Sequence, residues 1–573
     1  MATLIPSPAQ GETQMTGHHV EHEVFNQPPP LVGYDLFAQD AALREGVQRE
    51  GADWAMKTLH EIGQRAGSAE ALQWGFDANA CTPTLNTYDR YGHRIDEVTF
   101  HPAWHELMAR ATGWGLHASS WREARPGAHV ARIVGFYLWS QVEAGHGCPI
   151  SMTHAAIPAL RAQPELAAEW EPYFTALRYD PTLRPVAEKG SALCGMGMTE
   201  KQGGSDVRAN ITRAEAVGAG GPGGEYLLTG HKWFCSAPMC DAFLMLAQAP
   251  GGLSCFLVPR ILPNGARNRI YIQRLKDKLG NRSNASSEIE LDHAWARLIG
   301  EEGRGVKVIV EMVNSTRLDC VAGSAALMRQ AAAQATHHAA YRAAFGRTLI
   351  DQPLMQNVLA DLAIESEAAT LLMLRLARAS DEAAAGDAQA AAFKRIGVAI
   401  GKYWVCKRTP TLVAEALECL GGNGYVEESG MPRLYREAPV NSIWEGSGNV
   451  ICLDTLRALA REPETSEAYF AEVAQAHGAN VRLDTATTAL QRDLRALAHP
   501  DAQTTLEWQA RHLVERMALV LQASLLARHS PQAVADAFCV ARLGDGGRLT
   551  YGDLPIGIDA TAIIARARPQ ASQ

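Results

Sequence analysis

The strongest constraint on the fold is a hydrophobic period that changes twice along the chain. From about Ala41 to Pro185 the apolar residues recur at three- and four-residue steps, as in Trp54 to Ile62 and Val130 to Val142, which predicts amphipathic helices. After Met198 the pattern breaks into short apolar runs, among them Tyr226–Leu228, Phe243–Ala247, Cys255–Val258, Ile270–Ile272 and Ile289–Leu291, lying between Gly, Pro and Asn clusters. Those runs predict antiparallel β-strands. The helical period returns from about Gly305 to Arg378 and from Ala392 to Leu420, and it continues beyond Leu459 with Pro463, Pro500 and Pro531 as breaks. The expected fold class is mainly α with a central antiparallel β domain and a C-terminal helical extension.

At 573 residues the chain is long enough for several cores, and a net charge of -9 gives no global support for binding nucleic acid or anionic membranes. No apolar stretch approaches the roughly 20 residues that cross a bilayer, so no membrane partner is expected. The 11 cysteines are scattered, and the closest pair, Cys235 and Cys240, lacks CxxC spacing; a reduced, cytoplasmic chain fits best. The first thirty residues hold no Lys or Arg and no apolar run, so neither a signal nor a transit peptide is read there. That segment, ending in Pro28-Pro29-Pro30, reads as a tail or an arm that orders on a partner subunit. Gly218 to Gly224 reads as a hairpin connection. His101 and His105 have helical ligand spacing, but Pro102 between them and the lack of a nearby cysteine or clustered acids argue for no metal.

Three stretches could carry chemistry. In Gly195-Met196-Gly197-Met198-Thr199-Glu200-Lys201-Gln202-Gly203-Gly204-Ser205-Asp206, two hydroxyls and the amides beside the glycines suit a flavin edge and a pyrophosphate, although a solvent loop has the same composition. In His231-Lys232-Trp233-Phe234-Cys235-Ser236, Trp233 can stack on a flat cofactor while Ser236 donates to it, or simply fill a core. In Asn441-Ser442-Ile443-Trp444-Glu445-Gly446-Ser447-Gly448-Asn449, partial desolvation can raise the pKa of Glu445 and make it a base; a capping or surface carboxylate is the alternative.

Taken in order with Lys278 to Ser283, Gly300 to Gly305, Arg342 to Gly346 and Leu420 to Tyr425, these segments resemble the acyl-CoA dehydrogenase family from about Met152 to Leu456. The long C-terminal extension and the runs Met196–Val207, Arg274–Ser286 and Pro432–Cys452 are most similar to a flavoprotein branch associated with the bacterial alkylation response. The resemblance implies an arm (1–30), a helical domain (31–195), a barrel-like β domain (196–300), an FAD-binding helical bundle (301–456) and a C-terminal helical domain (457–573). It implies that Met198, Thr199, Gly203, Gly204 and Ser205 hold flavin and pyrophosphate, and that Trp233, Phe234, Cys235 and Ser236 flank the ring. Ile443, Trp444, Gly446, Ser447, Gly448 and Asn449 would complete the FAD site, with Asn449 at the adenosine half. Arg342, Phe345, Gly421 and Gly422 would serve the FAD of a neighbouring subunit, implying a homotetramer built as a dimer of dimers.

By the same resemblance Glu445 is the base that removes the α-proton of an acyl thioester, and Arg317 lies on the substrate side. A minority of the family places the base just before that arginine, where this chain has Thr316, a residue with no accessible basic form. Ala296-Arg297-Leu298 and Pro353 depart from the family pattern on the substrate side, so the acyl group is left open.

The resemblance also implies double-stranded DNA as a partner through the C-terminal domain. Beyond Ile451 there are about a dozen arginines, no lysine and a comparable number of acids. Arg457, Arg511, Arg516 and Arg528 are the candidates for phosphate contact, together with Arg492, Arg495 and Arg548, unless neighbouring acids pair them on solvated helix faces. Arg457, just after the flavin motif, is a candidate for the access channel. The reading is therefore an FAD protein of the alkylation response that binds duplex DNA and keeps a weak acyl-CoA dehydrogenase-type site. A catabolic short- or branched-chain acyl-CoA dehydrogenase without a DNA role is the alternative.

Overall fold

The computed structural model describes residues 23–497, 503–544 and 549–570; most of the N-terminal arm, Pro500 and Arg548 lie outside them. The order of elements is helical, then β, then helical.

The first helical region runs from Ala41–Arg49 to Pro164–Phe174. Local chemistry sets its helix starts: Asp40 accepts from the Leu43 amide at 3.1 Å, and Pro102 opens the helix Pro102–Gly113 with the His101 ring accepting from the Ala103 amide. The purely helical expectation needs one correction. Thr84–Tyr88 and Arg94–Thr99 form an antiparallel hairpin in the middle of this region. Its inward face carries Asp96, whose carboxylate accepts from Arg94 and from the Ile272 amide, so a charge stands where an apolar residue would have marked the strand.

The β region closes on itself. Strand Ala242–Ala249 pairs antiparallel with Gly252–Pro259, which pairs with Ser286–Ile299, which pairs with Glu225–Ser236, which pairs with Arg213–Ala216, and that strand returns to the first through a single parallel contact, Arg213 with Gln248. Ile270–Leu275 adds to the Ser286–Ile299 strand. A wholly antiparallel sheet was expected from Met198 onward; instead Cys194–Gly197 already lies in the sheet and pairs in parallel with Ala242–Ala249. A barrel of this kind leaves few unpaired edges and buries an apolar interior, with Phe243, Leu244, Met245, Phe256, Leu257 and Val258 almost fully enclosed.

Three long helices, Gly305–Tyr341, Pro353–Ala384 and Ala388–Glu418, build the bundle, and their cores are continuous with the first helical region. A buried ion pair between Arg132 and Asp319 ties that region to the first bundle helix. The extension adds the helices Pro463–Ala474, Val481–Leu497, Gln503–His529 and Gln532–Arg542. It is fastened by Arg542 to Asp361 at 2.5 Å and Glu365 at 2.9 Å, and by the Tyr469 hydroxyl donating to the Met517 carbonyl at 2.8 Å. Among the described residues no helix is long and apolar enough to cross a membrane.

Candidate functional site

The site is assembled at the meeting of barrel and bundle. Glu445 lies in the loop before the helix Gly448–Arg461, and its backbone takes φ 57°, the left-handed region that a residue with a Cβ rarely adopts. Two cations from different helices hold that turn. Arg317 Nε donates to the Glu445 carbonyl at 3.0 Å, and Lys402 Nζ donates to the Gly446 carbonyl. Gly446, at φ 100°, continues the turn; a Cβ there would stand 3.1 Å from Ile451 and 3.4 Å from the Arg317 guanidinium. The half-buried Glu445 carboxylate accepts from the Thr316 hydroxyl at 2.7 Å. Desolvation by burial raises its pKa above the ordinary carboxylate value, against smaller opposing effects of Thr316, Arg317 and Lys402.

Arg317 is engaged through Nε and Nη1. Besides the Glu445 carbonyl it meets Asp454 at 2.8 Å and Asn314 at 3.3 Å, and Arg395 holds the other Asp454 oxygen at 2.9 Å. The structure thus places the residue expected on the substrate side beneath the Glu445 turn.

Across from this turn stands the barrel strand Glu225–Ser236. Trp233 donates its amide to the Thr199 carbonyl at 2.8 Å, which seats the 198–206 loop against the strand. A buried pair fixes the same loop: Lys232 Nζ meets Glu200 at 2.8 Å, and Glu200 also accepts from the amides of Ile211 and Thr212. These partners hold the Glu200 carboxyl at about 2, even though burial alone would raise it. A Cβ on Gly204 would lie 2.3 Å from the Thr199 hydroxyl, so only glycine lets that hydroxyl sit where it does. Met198 and Thr199 are half-buried, while Gly203 and Ser205 are exposed. The Trp233 and Phe234 rings both lie beside Lys276 Nζ, at 4.0 and 4.3 Å. Cys235 points into the barrel core, where burial pushes its thiol up to about 12, which leaves its backbone as the part available to a ligand.

One residue between the two halves was missed by sequence reasoning. Cys148, at the start of the helix Gly147–Leu160, is buried in the neighbourhood of Asn284, Ser236, Lys278 and Glu445, and burial raises its thiol to about 12. A lone cysteine opening an apolar helix gives no signal of that placement. The Asn284 Oδ1 beside it is buried without a partner, as is fitting for a donor that a bound group supplies. Lys278, also facing this space, is pushed down by burial to about 8.

The other candidates divide into two groups. Ile443 is exposed, Trp444 is anchored by its Nε1 donating to Asn441 at 3.0 Å, and Ser447, Gly448 and Asn449 open the helix Gly448–Arg461 with no side-chain cap on its first amides. Arg511 donates to Asn449 at 2.8 Å, and Lys407 Nζ stands 3.4 Å from where a Gly448 Cβ would be. Two cations and free amides there suit a diphosphate. Away from this site, Arg342 and Phe345 lie at the short hairpin Ala343–Ala344/Arg347–Thr348, with Phe345 98% exposed at its tip. Asn26 clasps the base of this hairpin, exchanging hydrogen bonds with Ala343 at 2.7 and 2.8 Å. Gly421 and Gly422 face open space.

The C-terminal arginines do not share one environment. Arg528 is enclosed by Glu472 at 2.5 Å and Gln475, with Arg375 on the same carboxylate; Arg516 meets Asp493 at 2.7 Å. Arg457 is 61% exposed, with Asp454 at 3.9 Å, and Arg492 is exposed beside Asp493. His101 is a helix cap and His105 pairs with Tyr179, and among the described residues no group of acids, histidines and cysteines is placed to hold a metal ion.

The chain is similar to known proteins over most of its length. Residues 26–181 match the Adaptive response protein AidB N-terminal domain, 195–294 the middle domain of acyl-CoA dehydrogenases, and 303–460 their C-terminal domain. The chain is 47% identical to AidB of Escherichia coli (strain K12) over 92% of its own length and 96% of that protein's. Among solved structures, Caenorhabditis elegans ACDH-11 in complex with C11-CoA superposes with a TM-score of 0.84 at 27% identity, covering 93% of this chain and 96% of that one. Bd2924 in its apo form gives a TM-score of 0.80 at 28% identity, over 89% and 100%. Members of the matched family generally depend on FAD, bind acyl-CoA and form oligomers. With its N-terminal, middle and C-terminal segments all matched in order, the chain belongs to the acyl-CoA dehydrogenase family, on the AidB side of it.

Proposed function

We propose that this protein holds FAD between the barrel and the bundle and uses Glu445 as the base of an acyl-CoA dehydrogenase-type reaction of weak turnover, within an alkylation-response role that includes binding to duplex DNA. The observation that carries the chemical part is the pairing of Glu445 with Thr316. Helix and loop, the two places from which the family supplies a base, converge here on one point 2.7 Å across, and only Glu445 can take a proton. The polar groups fit the cofactor: the Thr199 hydroxyl, the strand at Trp233–Ser236 and the cationic helix start at Ser447–Asn449 can donate, and the orphaned Asn284 oxygen can accept.

When bound, the flavin supplies the hydride acceptor. The chain supplies the rest. Glu445, kept partly desolvated, takes the α-proton of a thioester onto its carboxylate, and Arg317 and Lys402 fix the carboxylate's direction by pinning the backbone that carries it. Trp444, next to Glu445, is held in place by Asn441. A subunit pairing in which Phe345 and Arg342 reach a neighbouring site, within a tetramer, is part of the same reading.

Anaerobic addition of acyl-CoAs to the flavin-loaded protein tests it. Slow bleaching of the flavin band is expected, abolished in Glu445→Gln; rapid turnover with short branched acyl-CoAs and no DNA affinity favours the catabolic alternative, and a protein that takes up no flavin overturns both. The DNA part rests on the AidB resemblance and on Arg457 and Arg492, whose guanidinium groups are exposed. Duplex affinity that falls steeply with salt and weakens in Arg457→Gln supports it; no binding at low salt removes it.

A further inference from the structure

We propose that the cavity behind the flavin site, between the N-terminal hairpin and the barrel, is a second binding site for a small uncharged aromatic molecule carrying one hydroxyl group. The cavity holds about 350 Å³ and lies at a seam between the Thr84–Tyr88/Arg94–Thr99 hairpin, the helix Pro102–Gly113, the 179–183 segment and the turn after strand Glu225–Ser236. That volume and that placement are those of small-molecule sites. None of its lining residues belongs to the flavin motifs or to the Glu445 turn.

The lining selects the ligand. One wall is the stacked pair Phe100 and Trp104, with ring centroids 4.8 Å apart and planes within 13°, which offers a flat apolar face. Met108 and Met239 add polarisable surface, and the Met239 sulfur accepts from the Val98 amide at 3.3 Å, locking hairpin to barrel. No arginine or lysine lines the cavity, whereas Glu97, Asp180 and Asp241 do, so a phosphate, a carboxylate or the nucleotide end of a coenzyme is disfavoured. Nor do those carboxylates call for a strong cation: Asp241 is paired with Lys189 at 2.7 Å, Glu97 with Arg267, and Asp180 accepts from Thr182 and Gly190. The polar feature left for recognition is His105, whose Nδ1 lies 3.0 Å from the Tyr179 hydroxyl. Burial lowers its pKa, so the pair is uncharged at neutral pH and can take or give one hydrogen bond to a hydroxyl.

The cavity adjoins the proposed flavin site along the chain. Ala237, a lining residue at φ 49°, directly follows the candidate flavin contact Ser236, and Pro149, another lining residue, directly follows Cys148. An occupant would press on the peptide that carries Ser236.

Calorimetric titration of the full-length protein with 2-naphthol and with naphthalene tests the assignment. Saturable binding of one 2-naphthol per chain is expected, unchanged in Glu445→Gln and lost in Leu183→Trp, which fills the cavity from its half-buried edge. In His105→Phe, 2-naphthol should bind about tenfold more weakly and naphthalene equally well, the loss of one hydrogen bond. Absence of saturable binding overturns the proposal. So does binding that Glu445→Gln removes and Leu183→Trp leaves intact, or a His105→Phe variant that weakens both probes alike; this last comparison stands even where Leu183→Trp fails to fold.

Discussion

Arg317 reaches Glu445 through its main-chain carbonyl, at 3.0 Å, and leaves the carboxylate to Thr316. The arginine therefore fixes the backbone that carries the proposed base and acts on its charge only through space, whereas the threonine bonds the carboxylate directly. The two roles can be separated by substitution.

Removing the Thr316 hydroxyl takes away a hydrogen bond that favours the ionised carboxylate, while burial, the larger effect on Glu445, stays. Activity of the base rises with pH through a midpoint above the ordinary carboxylate value. In Thr316→Val that midpoint should move upward by about one pH unit, the equivalent of a hydrogen bond to a charged group. The pH profile of flavin bleaching by an acyl-CoA reads it. Because the folded pKa is raised, ionising Glu445 costs folding free energy, so Glu445→Gln should be no less stable than the parent above that midpoint and lose the advantage as pH falls below it.

Lys232 and Glu200 are both fully buried, and Glu200 also holds two amides of the segment after the 198–206 loop. Lys232→Met strands that carboxylate. A loss of about 3–5 kcal/mol in chemical denaturation is expected, together with weaker flavin retention through the loosened loop.

Arg511→Ala should weaken FAD retention by about tenfold while leaving the melting temperature of the flavin-free protein nearly unchanged, since exposed Arg511 hydrogen-bonds exposed Asn449 at the start of a helix. Flavin release at rising salt, followed by fluorescence, distinguishes this from a loss of DNA affinity alone.

Arg528→Ala belongs to another class. Glu472 is buried between Arg528 and Arg375, so the substitution should destabilise the extension by about 3 kcal/mol. Arg457→Gln should leave the melting temperature within about a degree, as surface substitutions do. DNA affinity measured on both, beside their melting curves, separates contact from folding.

His117 and His154 are buried and His129 is half-buried, and desolvation lowers His117 to about 4 and His129 to about 3. In the unfolded chain they take up protons near the ordinary value, so stability present above that value falls as pH drops toward these lowered ones. A melting temperature that declines between pH 7 and pH 5, less steeply in His129→Asn, is the expected result.

The α–β–α order was legible because burial imposes its period wherever the inward residues are apolar. It failed at Arg94–Thr99 because Asp96 faces inward, with one carboxylate oxygen accepting from both Arg94 and the Ile272 amide, a reversal of polarity that periodicity cannot see. It missed the parallel strand Cys194–Gly197 because four residues with two glycines carry too little pattern. Glu445, Trp233 and the 198–206 loop came from local motifs. The part played by Arg317, Cys148 and Arg511 depends on contacts across 128 residues, across domains, and across 62 residues, which no local composition encodes.

The clasp of Asn26 on Ala343 has a practical side. A side chain near the start of the chain satisfies both main-chain groups of a residue 317 positions later, so the hairpin bearing Phe345 is finished only when the beginning of the polypeptide comes back to it. Affinity tags and cleavage scars placed close to residue 26 are therefore structural edits: a fusion that drags on it would leave the fold standing and slacken the hairpin tip, yielding preparations that look intact by spectroscopy yet differ at that tip.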